Sequence, residues 1–343
     1  MALVGRDNKQ KPQIASVRPA AAIAGGEFVV EGNRFRTNGG QRTRVKLGET
    51  DAQLLMGGNE LMIVRVPEGA TVGEMVVDNG QAASSPFYCN LGVSIAENLH
   101  PVANPVVDPH GNIYTTFSGS RGQKVPVAIY KVDLNYEARP FVKDLMNATG
   151  LAVDREGMLL VSSRFDGTIY QVAPNGKMSV FAEGMGVATG LAFDAEGNLY
   201  VGDRSGTIFK IAPSHGETRQ IFVFATLEPS ISAYHLAVSP DQTLYVTGPT
   251  TSSSDCIYRV AQSGEVSVYY KGLGRPQGMA FDAQGRLYVA GSLGGRKGVV
   301  RFGPGDQPEL VLSGPGVVGL SFASAQTAVV ATNNALYRVE MFS

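Results

Sequence analysis

Arg164, Arg204 and Arg275 are the side chains in this sequence best suited to hold an anion, because the first two follow a short apolar segment and the third precedes one, each in a connecting loop. A guanidinium presents parallel donors that match a carboxylate or phosphate in bidentate fashion. His235, beside Tyr234, is the candidate general base, with Asp203 as a carboxylate within the same set. The competing reading is that Asp203 pairs with a neighbouring arginine and only satisfies a polar lining. A lone histidine is likewise more often a hydrogen-bonded structural residue than a base or ligand. Gln277, Asn104 and Asn147 complete the ligand-binding candidates. No Ser-His-Asp pattern, Gly-rich phosphate loop or HExxH motif accompanies them, so the sequence identifies no catalytic residue beyond the candidates His235 and Asp203.

What places these residues together is an internal repeat. The segments NPVVD (104–108), GLAVD (150–154), GLAFD (190–194), HLAVS (235–239), GMAFD (278–282) and GLSFA (319–323) align, with their last residues 46, 40, 45, 43 and 41 apart. That period, with four strand-like segments in each repeat, predicts the blades of a six-bladed β-propeller rather than a helical solenoid. An apolar strand ends in Asp, a D-x-x-G turn follows, and a second strand begins. Asp108, Asp154, Asp194 and Asp282 therefore read as structural turn carboxylates, each capping its own turn. Loops that precede the first strand of a blade or follow the second lie on one face, around the central channel. The polar candidates all fall on that face, and longer loops at 118–126, 249–255 and 291–297 are expected to rim it.

The last repeat ends after Ala335-Leu336-Tyr337-Arg338-Val339, without a fourth strand. VSIAENLHPVANPVVD (93–108) aligns without a gap to SVFAEGMGVATGLAFD (179–194), so residues 93–97 are expected to supply the missing strand and close the ring over 93–343. Residues 11–92 read as a separate domain. They hold about seven short alternating segments punctuated by Gly-Gly and Asn-Gly turns, the pattern of an immunoglobulin-like β-sandwich. Residues 1–10 read as a flexible tail. Almost no linker separates the two domains, which predicts a fixed relative orientation.

Two family resemblances accompany this all-β reading. Pro12-x-Ile14-x-Ser16-Val17-x-Pro19, Gly25-Gly26-Glu27-x-Val29-x-x-Gly32 and Val64-x-Val66-Pro67-x-Gly69-Ala70-x-x-Gly73 resemble an IPT/TIG domain, which implies a positioning or partner-binding role. The second part resembles the NHL and SMP-30/gluconolactonase-like group of six-bladed propellers through G-[LM]-A-[VF]-D-x-x-G-x-L-Y-V, clearest at 190–201 and 278–289. Lactonases of that group hold a divalent cation with Glu, Asn and Asp near the starts of first strands. The aligned positions here read Ala103, Tyr234 and Gln277, so the resemblance implies that the usual metal site is lost and no cofactor is expected. Calcium enters only if a rearranged site near Asn104 and Asn147 serves a hydrolase.

Two functions follow. The first is a ligand- or protein-binding propeller with an Ig-like positioning domain. The second is a lactonase-like hydrolase or lyase acting on a lactone or cyclic ester through a non-standard site around His235, Arg164 and Asp203. The expected partner is a small anionic molecule or a protein. A net charge of −1 and the lack of clustered basic residues argue against nucleic acid, and no apolar stretch reaches membrane-spanning length. The amino-terminal residues carry no signal-like apolar region and Cys89 and Cys256 lack metal-type spacing, so a cytoplasmic protein with two reduced thiols is expected.

Overall fold

The computed structural model describes residues 11–36, 42–120, 122–213, 219–250, 255–303, 305 and 307–340. The expected tail 1–10 lies outside the described residues, as do Arg121 in the 118–126 loop, residues 251–254 in the 249–255 loop, and His215. Among the described residues every regular element is a β-strand. No helix is long and apolar enough to cross a membrane.

The amino-terminal strands form one seven-stranded sheet wrapped around its own core. The wrapping is written in a period of two. Phe28 and Val30, Met62 and Val64, Val45 and Leu47, and Met75 and Val77 point inward from four strands, while the residues between them face outward. Thr50–Gly57 serves both halves. Its first residues pair with Leu47–Val45, and its later ones pair with Arg65–Met62.

The remaining chain is propeller-like: five four-stranded sheets and one of six strands. Taken in chain order, the sheets at 106–142, 148–182, 188–226, 235–271, 279–313 and 317–340 are called here the first to the sixth. The first strands of neighbouring sheets touch one another all the way round, and that of the sixth touches that of the first. Between each adjacent pair lies an apolar core drawn from both. Leu151 and Val161 pack with Ile129 and Val142, for example, and Val318, Val329 and Leu336 of the sixth sheet pack with Ile113 and Val132 of the first. Each sheet is thus buried on both faces, so its central strands are buried residue after residue, as in Leu159–Ser163.

Val93–Glu97 is the outer strand of the sixth sheet, antiparallel to Ala335–Glu340, with Val93 opposite Arg338 and Glu97 opposite Ala335. The fifth sheet carries two short additions from the amino-terminal part. Ala21–Ala22 runs parallel to Pro308–Ser313, and Asn90–Leu91 runs parallel to Ala21–Ala22. Ala21 and Ile23 enter the core shared by the fifth and sixth sheets. Gly26 permits this closeness, since a Cβ there would meet the Ser313 carbonyl oxygen at 2.2 Å. A shared sheet and a shared core fix the two parts against each other.

Candidate functional site

The repeated turns lie on the face opposite the candidates, and they consume their carboxylates. Asp194 accepts hydrogen bonds from the Glu196 amide at 2.9 Å, from the Asn198 amide at 2.8 Å, from Asn198 Nδ2 at 2.7 Å and from the Tyr200 hydroxyl at 3.2 Å. Asp108 does the same with His110, Asn112 and Tyr114. Burial pushes the Asp108 carboxyl up, but the bonds from Asn112, Tyr114 and His110 outweigh it and hold the pKa below its ordinary value. At Asp154 the balance reverses. Burial, aided by Glu156, holds its pKa above the ordinary value despite the bonds it accepts. Between the second and third sheets this face also holds a cavity of about 510 Å³, lined by Asp154, Glu156, Asp194, Glu196, Arg155 and Arg219 among others. Carboxylates outnumber cations there, and the Arg219 guanidinium lies 3.9 Å from the centre of the Phe181 ring.

On the candidate face each polar residue does something different. Asn104 stitches three sheets together. Its Nδ2 donates to the Met279 carbonyl at 2.7 Å and its Oδ1 accepts from the Leu320 amide at 3.1 Å. Asn147, wholly buried, accepts from the Gly122 amide at 2.7 Å and donates to the carbonyls of Gly119 and Ser120, pinning that loop. Arg164 Nη2 donates to the Gly119 carbonyl at 2.8 Å from the other side of the loop. Arg204 donates to the carbonyls of Ser230 and Ile231, so its guanidinium anchors the neighbouring loop.

Among the described residues Asp203 forms no ion pair with an arginine. Its Oδ1 accepts from the Val187 amide at 2.6 Å and its Oδ2 from the Ser205 hydroxyl, so it caps the approach to the third sheet. Tyr234 is wholly buried in the core between the third and fourth sheets, its hydroxyl donating to the Glu228 carbonyl; the channel is not where this side chain lies. His235 opens the fourth sheet, 6% exposed, and desolvation by burial lowers its pKa to about 4. Its imidazole is neutral at physiological pH. Of the trio expected to carry hydrolysis, Arg164 is bonded to the Gly119 carbonyl, Asp203 to the Val187 amide and the Ser205 hydroxyl, and His235 is buried at the start of the fourth sheet.

Arg275 and Gln277 are the candidates that share a cavity. It holds about 430 Å³ at the mouth between the fifth and sixth sheets, lined also by Ser292, Lys297, Asn333, Val317, Val318 and the backbone of Gly274, Gly291, Gly298 and Gly316. The loop bearing Arg275 is tied down on both sides. Gly274 and Ser292 exchange bonds of 2.8 and 2.9 Å, the Gln277 amide donates to Ala290, and the Ala290 amide donates to Gly278, both at 2.8 Å. Held this way, Arg275 adopts a φ of 48°, a backbone state that costs a non-glycine residue about 1–3 kcal/mol. Arg275 itself is exposed, so the loop presents its charge instead of burying it.

Lys297 escaped the sequence reading because 291–297 was taken as a loop. Instead Leu287–Leu293 and Arg296–Phe302 form one long hairpin, closed by Gly294 and Gly295 at φ 57° and 81°. The Gly-Gly pair between apolar segments was the available signal. Its register sets Lys297 opposite Ser292, which brings a second cation into the Arg275 cavity without any carboxylate. Among the described residues no three His, Cys, Asp or Glu side chains gather as a metal site would require. Cys89 and Cys256 form no disulfide, and burial pushes the Cys89 thiol up to about 12.

No family model matches the sequence, and no curated protein matches it. Solved structures do. An auxiliary nutrient binding protein from Bacteroides ovatus is 14% identical with a TM-score of 0.55, covering 96% of this chain and 98% of its own. A gluconolactonase from Xanthomonas campestris is 15% identical with a TM-score of 0.61 over 74% of this chain and 90% of its own. Virginiamycin B lyase from Staphylococcus aureus is 11% identical with a TM-score of 0.52 over 71% and 96%. At such identities the likeness is one of fold alone, and these folds host both binding and catalysis.

Proposed function

We propose that this chain is a ligand-binding protein whose mouth cavity between the fifth and sixth sheets takes a small anionic molecule. The observation that carries it is the pairing of Arg275 and Lys297 in one cavity lined by no carboxylate. A concave site with low-dielectric walls concentrates the field of such charges. Gln277, Ser292 and Asn333 add neutral donors and acceptors that can orient a polyhydroxylated acid.

The scaffold on this reading is a six-bladed propeller of the NHL and SMP-30/gluconolactonase-like kind, the six-stranded sheet being one blade extended by Ala21–Ala22 and Asn90–Leu91, and the ring closing through Val93–Glu97. The amino-terminal sheet is an immunoglobulin-like domain of the IPT/TIG kind, with its boundary near residue 92. Binding is favoured over lactone hydrolysis because Ala103 and Tyr234 are buried apolar and core residues, which leaves Gln277 as the single side chain of the three lactonase positions that reaches the cavity.

Calorimetry with gluconate, gluconolactone and galactose tests the proposal. Gluconate should bind, Arg275→Ala should weaken it, and galactose should give no heat. Preference for galactose, or turnover of gluconolactone that survives removal of divalent ions, would overturn it.

A further inference from the structure

We propose that the mouth cavity is one half of a two-part anion site, completed by a crevice between the amino-terminal sheet and the fifth sheet, and that its ligand is an elongated dianion of about two-ring size. The inference rests on reading the mouth as an anion site. The crevice holds about 440 Å³ and is lined by Gly25, Gly26, Glu27, Arg65, Arg296 and Lys297, with Gly295 and 313–315 closing it. Lys297 lines both cavities, and the two abut along 295–298 and 313–317. Each cavity, and the two together, fall in the range of about 300–1,000 Å³ typical of small-molecule sites.

The charges in the crevice do not balance. Glu27 is the one carboxylate against Arg65, Arg296 and Lys297. It is committed to Arg65, whose Nη2 lies 3.0 Å from Glu27 Oε1. Arg296 Nη2 donates to the Glu27 carbonyl at 3.0 Å, a neutral acceptor. Burial, with Arg18 nearby, pulls the Arg296 guanidinium below its ordinary range in spite of Glu27. A second anion in the crevice would supply the missing counter-charge. The site is also rigid, since the Glu27 amide donates to Ser313 Oγ at 2.8 Å and the Ile23 amide to the Ser313 carbonyl at 3.0 Å. A preformed crevice loses little ordering entropy on binding. On this account Arg296, whose guanidinium has the neutral Glu27 carbonyl as its acceptor, holds the second anion, and the amino-terminal sheet shapes the site through Gly25, Gly26 and the Glu27–Arg65 pair.

Galacturonate and digalacturonate separate the two halves, because the second adds one ring and one carboxylate to the first. Wild-type protein should bind digalacturonate at least tenfold more tightly, the gain expected of a further charge-assisted hydrogen bond. Arg296→Ala should erase that advantage and leave galacturonate unchanged, while Arg296→Lys should restore part of it. Arg275→Ala and Lys297→Ala should weaken both probes. If digalacturonate gains nothing in wild type, or keeps its gain in Arg296→Ala, the crevice is interface packing and the inference is overturned while the mouth stands. If galacturonate ignores Arg275→Ala, it is the mouth reading that falls.

Discussion

The two faces of the propeller-like part use polar side chains in opposite ways. On one face Asp108, Asp194 and Asp282 repeat a single arrangement, each accepting from the amides two and four residues onward and from the side chain at the fourth. On the other, Asn104, Asn147, Asp203 and Arg204 solve four different problems of loop anchorage, and Arg275, Gln277 and Lys297 face a shared cavity. Repetition marks where the backbone needs satisfying. Recognition chemistry collects where the repeat is broken, because a residue that must cap every turn is not available to bind anything else.

Both faces depend on the ring being closed, so reopening it is the largest perturbation. A chain starting at Leu99 lacks Val93–Glu97 and exposes the unpaired edge of Ala335–Glu340, along with the core that Ile95 and Ala96 share with Ile113 and Val132. Compared with a chain starting at Gly92, it should lose about 4–5 kcal/mol or more, with broadened thermal unfolding. Equal melting of the two chains in calorimetry would show that closure contributes nothing.

That strand illustrates how much was legible in the sequence. The ungapped alignment of 93–108 with 179–194 pointed to its partner, because outer-strand residues such as Ile95 and Phe181 answer to one local pattern. The turn carboxylates were equally legible, since Asp and Gly at fixed offsets satisfy bonds within a few residues. The mouth was not. Whether Arg204 reaches a ligand or the Ser230 carbonyl depends on the path of a loop 26 residues away in sequence. Tyr234 turned inward for a different, local reason: its hydroxyl found the Glu228 carbonyl, a contact no motif announces.

His235 sharpens the comparison by adding no charge to the mouth at neutral pH. Its folded pKa of about 4 lies below the ordinary 6.5, so the unfolded chain binds the extra proton between those values. Stability contributed through His235 is therefore complete above about pH 6.5 and lost as pH falls toward 4, up to about 3 kcal/mol for a shift of this size. Urea unfolding at pH 7 and pH 4.5 should show a smaller loss in His235→Gln than in wild type. Parallel losses would mean that the imidazole is solvated and available to a ligand.

Arg275 and Arg204 provide the direct contrast between presenting and anchoring. Arg275→Ala should weaken gluconate binding by about 1.5–3 kcal/mol, the range for a charge-assisted hydrogen bond, and leave thermal stability nearly unchanged. Arg204→Ala should do the reverse, because its donors belong to the carbonyls of Ser230 and Ile231. Exchanged phenotypes in calorimetry and thermal melts would invert the assignment of the mouth.

The smallest effect lies within the repeated face, where equivalent turns differ. Asp108 has Asn112 and Tyr114 as donors to its second oxygen, whereas the turn of Asp154 has Met158 and Leu160 at those positions. Asp108→Asn sets an amide donor against both side-chain donors and should cost about 1–2 kcal/mol at pH 7. Because the folded pKa of Asp108 is lowered, that cost is complete above the ordinary carboxylate pKa and fades as pH falls through the folded value. Asp154 has a raised pKa, so its charge disfavours the folded state above that value, and the penalty disappears as pH falls toward the ordinary pKa. Asp154→Asn should therefore be neutral or slightly stabilising at pH 7, with no benefit left at pH 3. Urea titrations of both variants at the two pH values decide the matter. Equal destabilisation at pH 7 would mean that the turn needs only its backbone caps, and that the Asn and Tyr after Asp108 add nothing to them.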